Sequence, residues 1–220
     1  MGQLFRPSAN LLSRVVIFGG LLLLLESILI LGVYFRSNLF RQVHVAIQQP
    51  VAFSHVTHND VLGIDCRYCH TAVTKSAFAS VPPTETCMTC HSQVAVDRTS
   101  TQPIRTSWQT GQPITWIKVY DLPDFVYFNH SAHVNKGVGC TTCHGQVNQM
   151  SVIWQQQALY MGWCLNCHRN PEKYLRPREE VYNMDYVAPQ GTDQIRLGVD
   201  LVQKYDVHKS QLTNCAICHR

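Results

Sequence analysis

The chain has 220 residues, a formal net charge of +4 and ten cysteines. That length holds one soluble domain plus an anchor, or two small domains. The basic excess is weak and no Lys/Arg run stands out, so charge gives no nucleic-acid partner. The cysteines exclude an ordinary disulfide framework, which scatters them. All ten fall into Cys-x-x-Cys pairs: Cys66/Cys69, Cys87/Cys90, Cys140/Cys143, Cys164/Cys167 and Cys215/Cys218.

The first predicted element runs from Val15 to Phe35, VVIFGGLLLLLESILILGVYF, with one charge, Glu26. At about 1.5 Å per residue it spans about 30 Å, the hydrocarbon thickness of a bilayer. The run is too long for a secretory signal, and Tyr34-Phe35-Arg36 is a poor cleavage site, so it reads as an uncleaved signal anchor. Arg6 and Arg14 flank one side and Arg36 and Arg41 the other, so flanking charge leaves its orientation open. A carboxyl group at the depth of Glu26 is costly unless a neighbouring helix bonds it, which predicts a partner in the membrane. Gly20 and Ser27, seven apart, offer that partner a small-residue face. A proton or quinone contact is the alternative role for Glu26.

A stalk at 37–52 leads to a phrase that occurs twice. Phe53-Ser-His55-Val-Thr-His58 precedes Cys66-x-x-Cys69-His70, and Cys87-x-x-Cys90-His91 follows. After a Thr-, Gln- and Pro-rich linker at 99–125, Phe128-Asn-His130-Ser-Ala-His133 precedes Cys140-x-x-Cys143-His144, and Cys164-x-x-Cys167-His168 follows. The two modules are 53–98 and 126–170. Within the linker, Trp116-Ile-Lys-Val-Tyr120 alternates like a short strand. The last segment, 171–220, holds an apolar pattern from Ile195 to Tyr205 that fits a helix and nearly as well a strand, then Cys215-x-x-Cys218-His219.

Each cysteine pair is followed at once by histidine. With 11 histidines in the chain, five such neighbours arise by chance with a probability of roughly 3 in 10 million, so the pattern reads as c-type haem attachment. Two thiols three residues apart can add to the two vinyl groups of one porphyrin, and the next residue then reaches the iron as proximal ligand. Five haem c are expected, with His70, His91, His144, His168 and His219 proximal. Zinc is the competitor: the gaps Cys69 to Cys87 and Cys143 to Cys164 fit a zinc ribbon, but Cys215/Cys218 has no second pair. Haem attachment takes place outside the cytoplasm, which puts the amino terminus inside and residues from about 37 onward in the periplasm.

The pairs His55/His58 and His130/His133 are the candidate distal ligands, because i and i+3 share a helix face yet diverge enough to reach two irons. The fifth iron then lacks a partner; His44, His208, Met150, Met161 and Met184 are the available groups. About 180 residues lie outside the membrane, about 36 per haem, too few for an ordinary apolar core. The expected fold is one N-terminal transmembrane helix plus a haem-packed multihaem cytochrome c domain, mostly short helices and loops.

The doubled phrase resembles the cytochrome c3/c7 group. That resemblance implies that His55 serves the His70 haem, His58 the His91 haem, His130 the His144 haem and His133 the His168 haem. In that group a further ligand lies just ahead of the next motif, where this chain has Tyr160-Met161-Gly162-Trp163, which implies Met161 for the His219 haem. Over nearly its whole length the chain also resembles the pentahaem cytochrome c component of bacterial alternative complex III. The likeness lies in its anchor, its five motifs, its end at Cys218-His219-Arg220, and the stretches Trp116 to His130 and Met161 to Arg169. This implies an electron-transfer subunit, without a catalytic site of its own, in a respiratory or photosynthetic quinol-oxidising complex. Its implied partners are a large iron–sulfur subunit, polytopic membrane subunits and a monohaem cytochrome, with a soluble carrier or an oxidase as acceptor. The competing reading is a stand-alone quinol dehydrogenase of the anchored multihaem type. A multihaem nitrite reductase, the third, needs an open sixth position at one iron.

Overall fold

The computed structural model describes Arg6 and residues 8–219. Residues 1–5, Pro7 and Arg220 lie outside the described residues, and with them most of the expected cytoplasmic stub and the last residue of the resemblance. The chain forms two compact units, 1–43 and 44–220.

In the first unit, α1 (Ser8–Phe35) is the one helix among the described residues long and apolar enough to cross a membrane, judged by length and composition. Its 28 residues exceed the expected Val15–Phe35 run by two turns at the amino end, where Ser8, Asn10 and Ser13 are polar. Ser27 Oγ donates to the Leu23 carbonyl at 2.7 Å, so this hydroxyl needs no partner outside the helix. At the other end Tyr34, Phe35 and Phe40 pack edge-to-face with ring centroids 5.0 to 5.7 Å apart. Such rings suit a membrane–water boundary, where an aromatic body meets a polar layer.

The second unit has no strand among the described residues. A π-helical turn (Val56–Val61) is followed by α2 (Cys66–Cys69), α3 (Thr84–His91), α4 (Gln102–Thr110), α5 (His130–Asn135), α6 (Cys140–His144), α7 (Met161–Arg169), α8 (Gln194–Lys204) and α9 (Cys215–Cys218), with short 3-10 turns between them. Two isolated antiparallel bridges, Ala46 to Trp154 and Val138 to Leu175, are the β contacts among those residues. The expected strand at Trp116–Tyr120 is not formed: 116–118 have no regular structure and 119–120 bend. The Gln49 side chain satisfies this backbone instead, accepting from Ile117 N at 3.0 Å and donating to Ile117 O at 3.1 Å.

The pattern at 195–205 is a helix, and burial shows why. Gly198, Leu201 and Tyr205 are buried and Leu197 and Val202 half-buried, while Ile195 and Val199 are exposed. A spacing of three and four decides for the helix; a strand would have buried 195, 197, 199 and 201 together. Asp193 caps α8 by accepting from Ile195 N at 2.9 Å. Gly198 lets the helix lie directly on the backbone of Glu172, where any Cβ would collide with its carbonyl.

The linker is more ordered than its composition suggests. Pro103 opens the first turn of α4, and Gly111 ends it in a left-handed conformation with φ 69°. Ser107 ties this helix to α3 through Thr84 Oγ1 at 2.7 Å.

Among the described residues nine apolar side chains are buried, most of them in two small clusters. One is Val73, Val134 and Val181 with Cys140 against it; the other is Leu175, Leu201 and Tyr205. That is too little for a domain of this size to stand on apolar burial alone. The first of them packs directly against a motif cysteine, Cys140.

Candidate haem-binding sites

Both His-x-x-His phrases arrange their rings the same way, although the first is a π-helical turn and the second an α-helix. In the first, Phe53 stacks on His58 with centroids 4.4 Å apart and meets His55 edge-on at 4.9 Å. In the second, Phe128 stacks on His133 at 4.5 Å and meets His130 edge-on at 4.8 Å. The phenylalanine of the phrase is thus a clamp that sets both rings at once. The second histidine of each pair is also held by its own turn: His58 Nδ1 lies 2.9 Å from Ser54 O, and His133 Nδ1 2.7 Å from Asn129 O.

Other ring nitrogens follow the same rule, most of them with carbonyls farther along the chain. Nδ1 of His70 faces Ser80 O at 2.7 Å, His91 faces Val94 O at 3.1 Å, His130 faces Ala77 O at 2.8 Å, His168 faces Leu212 O at 2.8 Å and His219 faces Phe125 O at 3.0 Å. A carbonyl only accepts, so Nδ1 is the donor in each contact, and in the neutral ring Nε2 then keeps a free lone pair. Donation of one ring N–H to a carbonyl is the usual support of a metal-ligating imidazole.

Ring separations test the fit to iron. A metal–nitrogen bond is about 2 Å and a ring nitrogen lies about 1 Å from its ring centre, so two imidazoles on opposite sides of one iron have centroids about 6 Å apart. His58 and His91 are 6.1 Å apart, His130 and His144 6.3 Å, His133 and His168 6.1 Å. The residues fit the group. Bound there, haem c supplies a one-electron couple whose potential the axial ligands tune. His55 is half-buried: desolvation first, then the neighbouring His70 and His58, push its pKa down to about 4. Burial, then His130, His70 and His55, does the same for His144. Such imidazoles stay neutral, the form a metal ligand must have.

The ten thiols are free of disulfides. Burial, then Cys167 and Cys164, pushes the Cys143 thiol up to about 12. Cys140 rises to about 11 by burial and then through Cys66. Burial and then Cys87 raise Cys69, and burial and then Cys218 raise Cys164. Among the described residues no group of three or more His, Cys, Asp and Glu converges as a metal-ion site, which is what the zinc-ribbon alternative requires. Local chemistry shapes the short motif helices. Asp65 caps α2 through Arg67 N at 2.8 Å and Asn214 caps α9 through Ala216 N at 3.1 Å. Ahead of α6 stands Gly139, whose missing side chain makes room for the Arg176 guanidinium, which donates to Thr141 Oγ1 at 2.9 Å and Asn183 O at 3.1 Å.

The candidates for the fifth distal position are spread out. Met161 opens α7 and is 65% exposed, Met150 is fully enclosed, Met184 is half-buried and His44 is exposed. His208 turns its Nε2 to Asp206 at 3.3 Å, the nitrogen that ligand histidines keep free. His219 lies against Phe125, ring centroids 5.9 Å apart.

Two family models match this chain: the one for cytochrome c7 and related cytochrome c over residues 126–220, and the class III cytochrome C family over residues 37–114. The chain carries multihaem cytochrome c domains. Among curated proteins, the multihaem cytochrome c subunit of menaquinone reductase from Nitratidesulfovibrio vulgaris is 28% identical over 144 residues, covering 56% of this chain and 69% of the relative.

Two contacts of this cytochrome lie outside its motifs. Tyr120 meets the His144 ring at 4.4 Å and takes Gln156 N onto its hydroxyl at 2.9 Å, and Phe125 braces His219. Neither aromatic stands at a motif spacing. Their signal was the density of aromatic residues from Trp116 to Phe128.

Proposed function

We propose that the chain is a membrane-anchored pentahaem cytochrome that carries electrons within a quinol-oxidising complex, with its haem domain on the periplasmic side. The observation that carries this reading is the pairing of histidine rings at 6.1 to 6.3 Å across three motifs. An iron held from both sides has no open position for a substrate, so those centres suit electron transfer rather than bond chemistry. His55 and His70 would hold the first haem in the same way, and His219 the fifth, with Met161 as its other ligand. A quinol gives up two electrons and two protons. The partner that oxidises it releases the two protons to water, and this chain passes the two electrons on singly to a periplasmic carrier or an oxidase.

The apolar helix and the likeness to a menaquinone reductase subunit support a membrane complex as the setting. The finer expectation is an assembly like alternative complex III, with an iron–sulfur subunit, polytopic membrane subunits and a monohaem cytochrome. A second reading rests on Glu26: a carboxyl group in the apolar run suits a quinol site on this chain itself.

The test is reduction by a menaquinol analogue, followed at the reduced haem absorbance, with the purified chain and with a mild-detergent membrane extract. Reduction within the extract alone supports the complex. Fast reduction of the purified chain that slows in Glu26→Gln supports the stand-alone dehydrogenase and overturns the first reading. Intact mass of the purified chain reads the haem number, and five are expected.

A further inference from the structure

The order of the five motifs in space differs from their order in the chain. The second motif is bonded to the first: Tyr68 OH lies 2.8 Å from Thr89 Oγ1, and His58, from the turn that begins beside His55, pairs with His91. Its other bonds run to Ser107 on α4 and into its own loop.

The first motif, not the second, leads to the third. The segment after His70 receives the second module, with Ala77 O accepting from both N and Nδ1 of His130, Ser76 O from Ser131 N, and Thr74 O from Asn135 Nδ2. His130 is the partner of His144 in the third motif. Val73 and Val134 share an apolar cluster against which Cys140 packs, and Tyr182 in the same cluster lies under the Arg67 guanidinium of the first motif at 4.6 Å.

The third and fourth motifs are joined by α5, whose His130 and His133 pair with His144 and His168. The fourth and fifth are joined by the loop ahead of Cys215, whose Leu212 carbonyl holds His168. The fifth is also held by Tyr127 N, which donates to Cys218 O at 2.8 Å, and by Phe125 O, which faces His219 Nδ1 at 3.0 Å.

We infer that the five attachment motifs stand in the spatial order second, first, third, fourth, fifth, and that the second and fifth are the ends at which this chain exchanges electrons with its partners. Exposure runs the same way. Cys90 and Cys215 are the two exposed cysteines, one in each end motif, and the third motif, in the middle, has no exposed residue from Cys140 to His144. The exchange at the ends rests on the electron-transfer reading; the order itself does not.

The test uses the haem-loaded full chain in two arms. For the order, gadolinium tags go on cysteines introduced in pairs at Thr71, Gln93 and Thr213, and pulsed EPR reads their separations. A Gln93–Thr213 separation greater than Thr71–Thr213 is expected; the reverse overturns the order. For the ends, a polyethylene glycol chain is attached to a single introduced cysteine, and electron exchange with the membrane extract is timed. Several-fold slowing from residues 93 and 213, with the rate kept from residue 71, is expected; equal slowing from 71 overturns the assignment. A chain that takes no electrons from any extract sinks the proposed function, while the tag separations still decide the order.

Discussion

The imidazole rings of His130 and His144 lie 6.3 Å apart and within 10° of parallel. Those of His58 and His91 cross at 60° and those of His133 and His168 at 30°. Parallel rings split the iron orbitals that interact with them, and crossed rings bring those orbitals close in energy. The oxidised chain should therefore show more than one class of low-spin EPR signal. The His130/His144 site should be the most rhombic and the His58/His91 site should have the larger highest g value. In His58→Met the large-g signal should vanish, the rhombic one persist, and one haem potential rise, since a thioether ligand favours ferrous iron. A spectrum unchanged by that substitution would remove His58 from the iron.

Phe128 stacks on His133 and edges against His130, so its loss loosens two rings at once. Aromatic pairs add about 0.5–1.5 kcal/mol beyond area burial. Phe128→Leu keeps most of the apolar volume and deletes that geometry. It should cost about 1–2 kcal/mol in thermal melts, and should broaden the EPR signals of the His144 and His168 sites while leaving the His91 site sharp. Phe53→Leu should do the converse.

At most helical positions Gly→Ala gains up to about 1 kcal/mol in propensity. Gly198 should behave oppositely, because the added methyl would meet the backbone carbonyl of Glu172, which cannot rotate aside. The α8 helix must lift off the 171–173 turn, and Gly198→Ala should destabilise the chain by about 1–3 kcal/mol, read as a lowered melting midpoint. A variant as stable as the parent would show that the helix is not seated there.

Lys209 Nζ bonds Glu172, with Oε2 at 2.9 Å, and so ties the loop carrying Leu212 to the end of the fourth motif. Burial raises the Glu172 carboxyl, but the Lys209 ammonium and local backbone outweigh it and hold the group below the usual glutamate range. A carboxyl lowered by folding stabilises the fold above its unfolded value, and the contribution is lost as pH falls through the folded one. The lysine is partly solvated, so Lys209→Ala should cost less than about 1 kcal/mol near neutrality. The difference between variant and parent should disappear in acid melts.

The parts of this molecule that were legible in the sequence are those where residue type carries the chemistry. Cysteine spacing and the repeated Phe-x-His-x-x-His phrase pointed to the paired rings at His58, His130 and His133, because only particular side chains can do that work. The long apolar run announced α1 for the same reason. Legibility ended where the main chain acts. Nothing about Ser80, Val94, Ala77 or Leu212 marks them as supports of a histidine, since what they offer is a carbonyl. The alternation at 116–120 suggested a strand, yet its amides found one distant side chain, Gln49. The α4 helix was hidden by polar composition, and its place depends on a hydroxyl pair, Thr84 and Ser107, rather than on an apolar stripe.

Carbonyl support has a consequence for how such a chain tolerates change. The acceptors for His70, His91, His130 and His168 belong to the backbone, so replacing the side chain at Ser80, Val94, Ala77 or Leu212 leaves each acceptor where it was. Sequence at these positions can drift while ring orientation holds, provided the loop keeps its length and course. A deletion of one residue in such a loop would do what no substitution there does: withdraw the carbonyl, free the ring to turn, and let its nitrogens exchange roles.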